Sequence, residues 1–308
     1  MKQSFFSHGK LLLTGEYLVL DGAKALAIPT LKGQEMKVDM LPGSGNIHWT
    51  AKDVNGNIWL NFSFILQESH LIPVAMGTLD TSPEVLVLKK ILENALVLNP
   101  HFLNNQSDYE IITLLQFPND WGLGSSSTLI TNIANWAEVD AMTLFFNSFE
   151  GSGYDVAVAK EAAPIIYELE NKNPKWKVVN FNPSFTNELY FVHLDKKQNS
   201  RDEIANYKAK TKPASAQIEH VSSLTTQTLE CQNLEIFEKL MTEHETVISQ
   251  ILGIIPIKQR LFSDYPGGIK SLGAWGGDFI LATGKEAKTY FKNKGFDTVL
   301  SWKEMVKI

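Results

Sequence analysis

Ten residues near the middle of the chain, Pro118-Asn-Asp-Trp-Gly122-Leu-Gly124-Ser125-Ser126-Ser127, restrict its folding more than any other stretch. They follow an apolar run at 109–117 that reads as a strand ending at Pro118. They open a run in which Leu129, Ile130, Ile133, Ala134 and Ala137 share one helical face. A strand must therefore turn into a helix through two glycines and three serines. The glycines let the backbone approach a ligand closely. The serines add hydroxyls, and the helix start adds unpaired N–H groups carrying about half a positive charge. Such a turn cradles a phosphate without a lysine. Taken alone, it fits a serine-capped helix after a tight turn equally well.

The surroundings read as a mixture of strands and helices. Short apolar or alternating runs at 10–13, 25–28, 36–40, 47–50 and 58–64 predict strands, separated by Asp21-Gly22, Pro42-Gly43-Ser44-Gly45 and Asn55-Gly56-Asn57 turns. A helix follows, with Thr81 and Glu84 at capping-box spacing, Pro83 in its first turn, and Val85, Leu88, Leu92 and Leu96 on one face. Further strands are expected at 164–169, 176–181, 189–193, 279–283 and 297–300, with helices over about 201–208 and 214–251 and one starting at Lys285. There is no regular βαβ alternation, so the expected class is α+β. At 308 residues two domains are expected, with the boundary at Asn182-Pro183, giving 1–183 and 184–308.

Composition excludes several functions. The net charge is −6, which argues against general affinity for nucleic acid or anionic membrane, and 44% hydrophobic residues suffice for a core. One thiol, Cys231, makes neither an intrachain disulfide nor a zinc site, as expected of a reducing cytosol. Residues 1–10 carry no signal-peptide core, and no run of about 18 apolar residues occurs. The expectation is a soluble, cytoplasmic protein. No G-x-x-x-x-G-K-[ST] loop is present, and Ser127 stands where G-x-G-x-x-G needs its third glycine. His193-Leu-Asp195 imitates a protein-kinase catalytic loop, but the following asparagine is one residue too close; Asp195 reads as a surface aspartate.

Three more segments accompany the glycine–serine loop. Ser7-His8-Gly9-Lys10 leads through Thr14-Gly15-Glu16-Tyr17 to Asp21-Gly22; Gly151-Ser152-Gly153-Tyr154-Asp155-Val156-Ala157 follows the loop; Lys270-Ser-Leu-Gly273-Ala274-Trp275-Gly276-Gly277-Asp278 lies near the C-terminus. In this order, over the whole chain, the four segments resemble the GHMP kinases, with the loop matching that family's P-x-x-x-G-L-G-S-S. Within the family they look most like phosphomevalonate kinases and a bacterial subgroup marked by Gly-Tyr-Asp-Ile-Ala. The resemblance implies an N-terminal ATP-binding domain with a left-handed βαβ crossover and a ferredoxin-like C-terminal domain. It implies MgATP as phosphoryl donor and a small-molecule acceptor, with mevalonate and phosphomevalonate foremost. A monomer or homodimer is expected, and the acidic net charge speaks against nucleic acid and membrane as partners.

Carried across by motif position, Lys10 would counter charge at the transferring phosphoryl group and Asp155 would accept the acceptor's hydroxyl proton. Gly122, Leu123 and Gly124 would supply backbone approach, Ser125 and Ser127 would bond phosphate oxygens, and Ser126 would hold Mg2+. Gly273, Ala274, Gly276 and Gly277 would border the substrate site. The chain departs from the pattern at His8, where the family has proline, at the bulky Trp275, and at Asp120-Trp121 inside the loop. The magnesium-binding glutamate of mevalonate kinases falls at Leu144, with Glu138 and Glu150 the nearest carboxylates. Arg201 and Arg260 are the two arginines available to a phosphorylated acceptor. Two other functions share the fold: a catalytically silent nucleotide- or metabolite-binding protein, and a diphosphomevalonate decarboxylase-like enzyme.

Overall fold

The computed structural model describes every residue except 68, 76–77, 80–81, 105, 172, 196–199, 210–212, 274, 276–277 and 308. Two long strands, β1 (Lys2–Thr14) and β2 (Ala25–Pro42), come first. The runs expected separately at 25–28 and 36–40 are both parts of β2. The polar residues between them do not turn, because their hydrogen bonds are made in place. Gln34, for example, accepts from Thr128 Oγ1 through its side chain and from Asn132 Nδ2 through its carbonyl, both at 2.9 Å.

Next come β3 (Asn46–Lys52), β4 (Ile58–Gln67), β5 (His70–Ala75) and β6 (Thr78–Leu79). The β3–β4 turn is closed by the Asp53 carboxylate, which accepts from the amides of Asn55 (2.9 Å) and Asn57 (2.8 Å). α1 (Pro83–Leu98) buries Val85, Leu88, Leu92 and Leu96 as expected; its N-cap is Ser82, and the expected cap partner Thr81 lies outside the described residues. After β7 (Ser107–Leu115) come α2 (Ser125–Ala137), α3 (Ala141–Ser148) and α4 (Tyr154–Glu161). Then follow β8 (Ile165–Glu170), β9 (Asn173–Val178), β10 (Leu189–His193) and α5 (Ser200–Lys208).

The helical stretch expected over 214–251 is two helices, α6 (Ser215–Glu230) and α7 (Leu234–Leu252). Cys231 leaves helical geometry, and the Asn233 side chain accepts from the amide of Ile236 at 3.0 Å, starting a new helix. The chain closes with α8 (Ile257–Leu261), β11 (Ile269–Leu272), β12 (Phe279–Thr283), α9 (Ala287–Asn293), β13 (Val299–Ser301) and α10 (Trp302–Met305).

The chain divides into two units, through both of which β2 passes. The first comprises Met1–Gly9, Lys32–Asn119 and Gly124–Lys160. Its strands run in the order β6-β5-β4-β3-β7-β2, with β3 and β7 parallel and the other neighbours antiparallel. The connection between that parallel pair contains α1, which packs against α2 and α3. The second unit comprises Lys10–Leu31, Asp120–Leu123 and Glu161–Ile308, so the expected boundary at Asn182-Pro183 falls inside it. It holds an antiparallel sheet of order β11-β12-β10-β13, and the ribbon β8–β9 paired to Ala25–Ala27 of β2. Phe262, Tyr265 and Phe291 pack with Ile269, Ile280 and Val192 of that sheet into a core. The architecture is the mixed α+β expected from the sequence, with a large mixed sheet and a small antiparallel one.

Candidate active site

In the first unit, α2 begins where Gly124, at φ 86° and ψ 50°, turns the chain left-handed into the helix. Only glycine adopts that region without cost. No side chain caps this end. The Gly124 carbonyl accepts from the amide of Thr128 (3.0 Å) and the Ser127 hydroxyl (2.8 Å). Helix geometry leaves the amides of Ser125, Ser126 and Ser127 without an intrahelical acceptor. Ser126 is exposed, Ser125 half-buried and Ser127 buried; the Ser125 hydroxyl lies 3.4 Å from Asn119 Oδ1. The first turn of α2 is thus an open helix start, at the positive end of the helix dipole and without a capping side chain, a geometry suited to an anion.

Asp155, also in the first unit, stands in the first turn of α4, where its Oδ1 accepts from the amide of Val156 at 3.0 Å. Leu144 lies on α3 at 0% exposure, so no metal ligand occupies that position. Glu138 caps the C-terminus of α2 at φ 56°, at the opposite end of that helix from the serines. Among the described residues no group of three or more His, Cys, Asp or Glu side chains is gathered to hold a metal.

The second unit carries the other half of the motif residues and builds them into one structure. Lys10, on β1, donates its Nζ to the Gly122 carbonyl at 2.9 Å and its amide to the Leu123 carbonyl at 2.9 Å. Gly122 takes φ 63°, and a Cβ there would run into the Asp278 carboxylate, so glycine is required twice over. Trp121 sets its ring edge-on to Phe279, with centroids 5.4 Å apart, and beside His193 at 6.2 Å. His193 reaches the Asp120 carbonyl from Nε2 at 3.3 Å and Asp195 Oδ1 from Nδ1 at 3.2 Å. Every residue from Asp120 to Leu123 is therefore held, and the lysine from the first motif holds the last two. Gly273 follows β11 in this unit; Ala274, Gly276 and Gly277, expected to border the substrate site, lie outside the described residues.

A buried ionic cluster sits behind these motifs, also within the second unit. Glu16 pairs with Lys270, which lies 3.7 Å from Glu245 Oε1 and donates to the Ser271 carbonyl at 3.0 Å. Ser271 in turn donates its amide (3.1 Å) and hydroxyl (3.2 Å) to Glu245. His244 Nε2 accepts from the Gly15 amide at 2.9 Å, so the ring is neutral with its proton on Nδ1. Exposures of 1% for Glu16, His244 and Lys270 and 3% for Glu245 place the whole group away from water. Burial raises the Glu16 carboxyl, against the opposing pull of Lys270. Burial pushes Glu245 up to about 7, helped by the negative Glu16 and opposed by Lys270. Burial and the Lys270 charge hold His244 well below the usual histidine range.

Beside the cluster, Tyr17 adopts φ 62° and ψ −50° while the Leu18 amide donates to the Glu16 carbonyl at 2.7 Å, a strained three-residue turn. Its hydroxyl accepts from the Trp275 amide at 3.0 Å, and its ring packs with Tyr207 and Trp275. Trp275 is 4% exposed, so the bulky residue of the third motif faces the protein's interior.

The sequence singles out Lys10, the loop and Asp155, but gives no role to His193, Glu245, Lys270 and Asp278. Lys270 and Asp278 flank the third motif and were visible there. Nothing in the order of residues joins them to partners more than 100 positions away.

Comparisons with solved structures agree with this architecture. "L. major mevalonate kinase", solved with R-mevalonate, aligns at a TM-score of 0.66 and 14% identity, over 97% of this chain and 94% of that one. Streptococcus pneumoniae phosphomevalonate kinase, in complex with phosphomevalonate and AMPPNP, aligns at 0.67 and 14%, over 97% and 99%. Lactococcus lactis galactokinase, complexed with galactose, aligns at 0.66 and 12%, over 98% and 93%. No family model and no curated sequence matches the chain. The fold is that of the GHMP kinases.

Proposed function

We propose that this chain is an ATP-dependent small-molecule kinase that moves a γ-phosphoryl group to a hydroxyl or phosphate acceptor, with mevalonate and phosphomevalonate the first candidates. The observation that carries this reading is the uncapped start of α2, reached through a glycine turn whose carbonyl is held by Lys10. Bound MgATP would supply the transferable phosphoryl group and neutralise part of its charge. The amides of Ser125–Ser127 would bind phosphate oxygens, and the exposed Ser126 hydroxyl suits a ligand to Mg2+, an ion that keeps several of its own waters. Lys10 would offset negative charge at the transferring group. Asp155 would take the acceptor's proton late in a loose transition state, for which an ordinary carboxylate serves. The free, buried thiol of Cys231 supports a reducing, cytoplasmic location for the enzyme, which would act as a monomer or homodimer.

Leu144 favours one alternative, a nucleotide-binding protein without turnover, because the position of the mevalonate kinases' magnesium-binding glutamate is apolar and buried. ADP release with a panel of hydroxyl- and phosphate-bearing acceptors separates the two. Turnover with one acceptor, lost in Lys10→Met and Asp155→Asn, is the expected result. Nucleotide binding with no turnover on any acceptor would select the silent protein, and carbon dioxide release would select the decarboxylase.

A further inference from the structure

The open start of α2 rests on a buried polar seam within the first unit. Thr128 and Asn132 on α2, Gln34 on β2 and Ser7 on β1 are each no more than 7% exposed. Apolar side chains would fill such a place without needing partners, so what the polar ones add is direction. The Thr128 hydroxyl is shared between the Ser125 carbonyl and Gln34 Oε1, each at 2.9 Å. The Asn132 side chain donates to the Gln34 carbonyl at 2.9 Å and accepts from the Ser7 hydroxyl at 2.8 Å. Their buried neighbour Thr131 differs: its hydroxyl donates to the Ser127 carbonyl of its own helix at 2.9 Å.

The same stretch of β2 also holds the chain that enters the loop. Gly33 takes the Gln116 amide on its carbonyl at 2.9 Å and gives its own amide to Gln116 Oε1 at 3.3 Å. Lys32 Nζ donates to the Gln116 carbonyl at 3.1 Å. β1 runs so close here that a Cβ on Gly33 would lie 2.1 Å from the Ser7 carbonyl oxygen. Lys32-Gly33-Gln34 thus grips the chain at Gln116, before the glycine–serine loop, and at Thr128 and Asn132, after its open turn. Thr128 is where that turn ends, since its amide is the first to find a helical acceptor, the Gly124 carbonyl at 3.0 Å. A helix packed by apolar contacts alone can shift slightly along its axis. One tied to a strand by short directed bonds keeps its register.

We propose that Gln34 and Thr128 are positioning residues, which fix the first turn of α2 on β2 so that the amides of Ser125–Ser127 are aimed at the nucleotide phosphates before these arrive. This rests on the kinase reading above. Both side chains act through the helix backbone, by way of the Ser125 carbonyl, rather than by touching the nucleotide.

Calorimetric titration of the full chain with a non-hydrolysable MgATP analogue, alongside urea denaturation, tests this. Thr128→Val and Gln34→Met keep the side-chain volume and break the bond between the two. Each is expected to raise the dissociation constant about three- to tenfold, the effect of one buried hydrogen bond. Thr128→Ser keeps the hydroxyl and should bind within about twofold of the wild type. The double variant should bind about as weakly as Thr128→Val, because both changes remove the same bond. Thr131→Val, which loses a hydroxyl bonded only within the helix, should keep the wild-type affinity. A seam that serves stability alone would lower the urea midpoints of Thr128→Val and Gln34→Met with their dissociation constants unchanged, and that result overturns the proposal. Equal weakening in Thr131→Val also overturns it. A wild-type chain that takes up no nucleotide defeats the kinase reading instead. Amide hydrogen exchange then decides the clasp: exchange of the Thr128 amide about threefold faster or more in Gln34→Met supports it, and an unchanged rate overturns it.

Discussion

Replacing Glu245 by glutamine should make this protein more resistant to unfolding in alkaline solution, with little effect in acid. The carboxyl is 3% exposed and shares one ammonium, Lys270, with the equally buried Glu16. Burial penalises the charged form of Glu245, an effect the Lys270 ammonium opposes and the negative Glu16 reinforces, so Glu245 holds its proton up to about 7 instead of 4.5. In the unfolded chain the same group releases its proton near 4.5. The folded state therefore binds more protons between those values, and the group's contribution falls as pH rises through that window. At 1.36 kcal/mol per pH unit the displacement amounts to about 3 kcal/mol. Glutamine imitates the protonated acid, accepting from the Ser271 amide and donating to its hydroxyl, which lie 3.1 and 3.2 Å away in the wild type. Urea denaturation of both proteins at about pH 5 and about pH 8.5 measures the difference directly. The stability gap is expected to widen by about 3 kcal/mol toward the higher pH. His244 titrates in the opposite sense in both proteins and cancels from the comparison. A gap that stays constant with pH would refute the claim that burial holds the Glu245 carboxyl protonated to about 7.

Lys270→Met leaves Glu16 buried without its ammonium and should cost about 3–5 kcal/mol in urea denaturation at neutral pH. Part of that loss should be recovered at low pH, where the carboxyl is protonated. Gly122→Ala forces a Cβ into the Asp278 carboxylate and an alanine to φ 63°, and should cost about 1–3 kcal/mol by the same measurement while weakening nucleotide binding in calorimetry. Lys10→Met should lower kcat about 10²- to 10³-fold in a coupled ADP assay, with a smaller change in KM for ATP.

Local patterns in the sequence carried much of this fold. The α1 face, the strand at 189–193 and the strand at 279–283 were legible because apolar spacing reports burial directly. The glycine–serine loop was legible because a strand-to-helix turn needs those residue types. Continuity of β2 was not, since Thr30 and Gln34 are buried polar residues whose partners come from distant parts of the chain. The break before α7 had a local signal, Asn233, but the apolar period continues through it and masked the cap. Asp195 looked like a chance surface residue and its side chain is indeed 63% exposed, yet it carries the partner of a buried histidine. Motif order implied roles for Lys10 and Asp155. The supporting shell of His193, Glu245, Lys270 and Asp278 depends on pairings between remote segments, which only coordinates reveal.

The central claim is that phosphate oxygens bind the open start of α2. A crystal structure of the protein with a non-hydrolysable MgATP analogue tests it most directly. The account predicts phosphate oxygens within hydrogen-bonding distance of the amides of Ser125, Ser126 and Ser127. Nucleotide density elsewhere on the molecule, with those amides facing solvent alone, would contradict it.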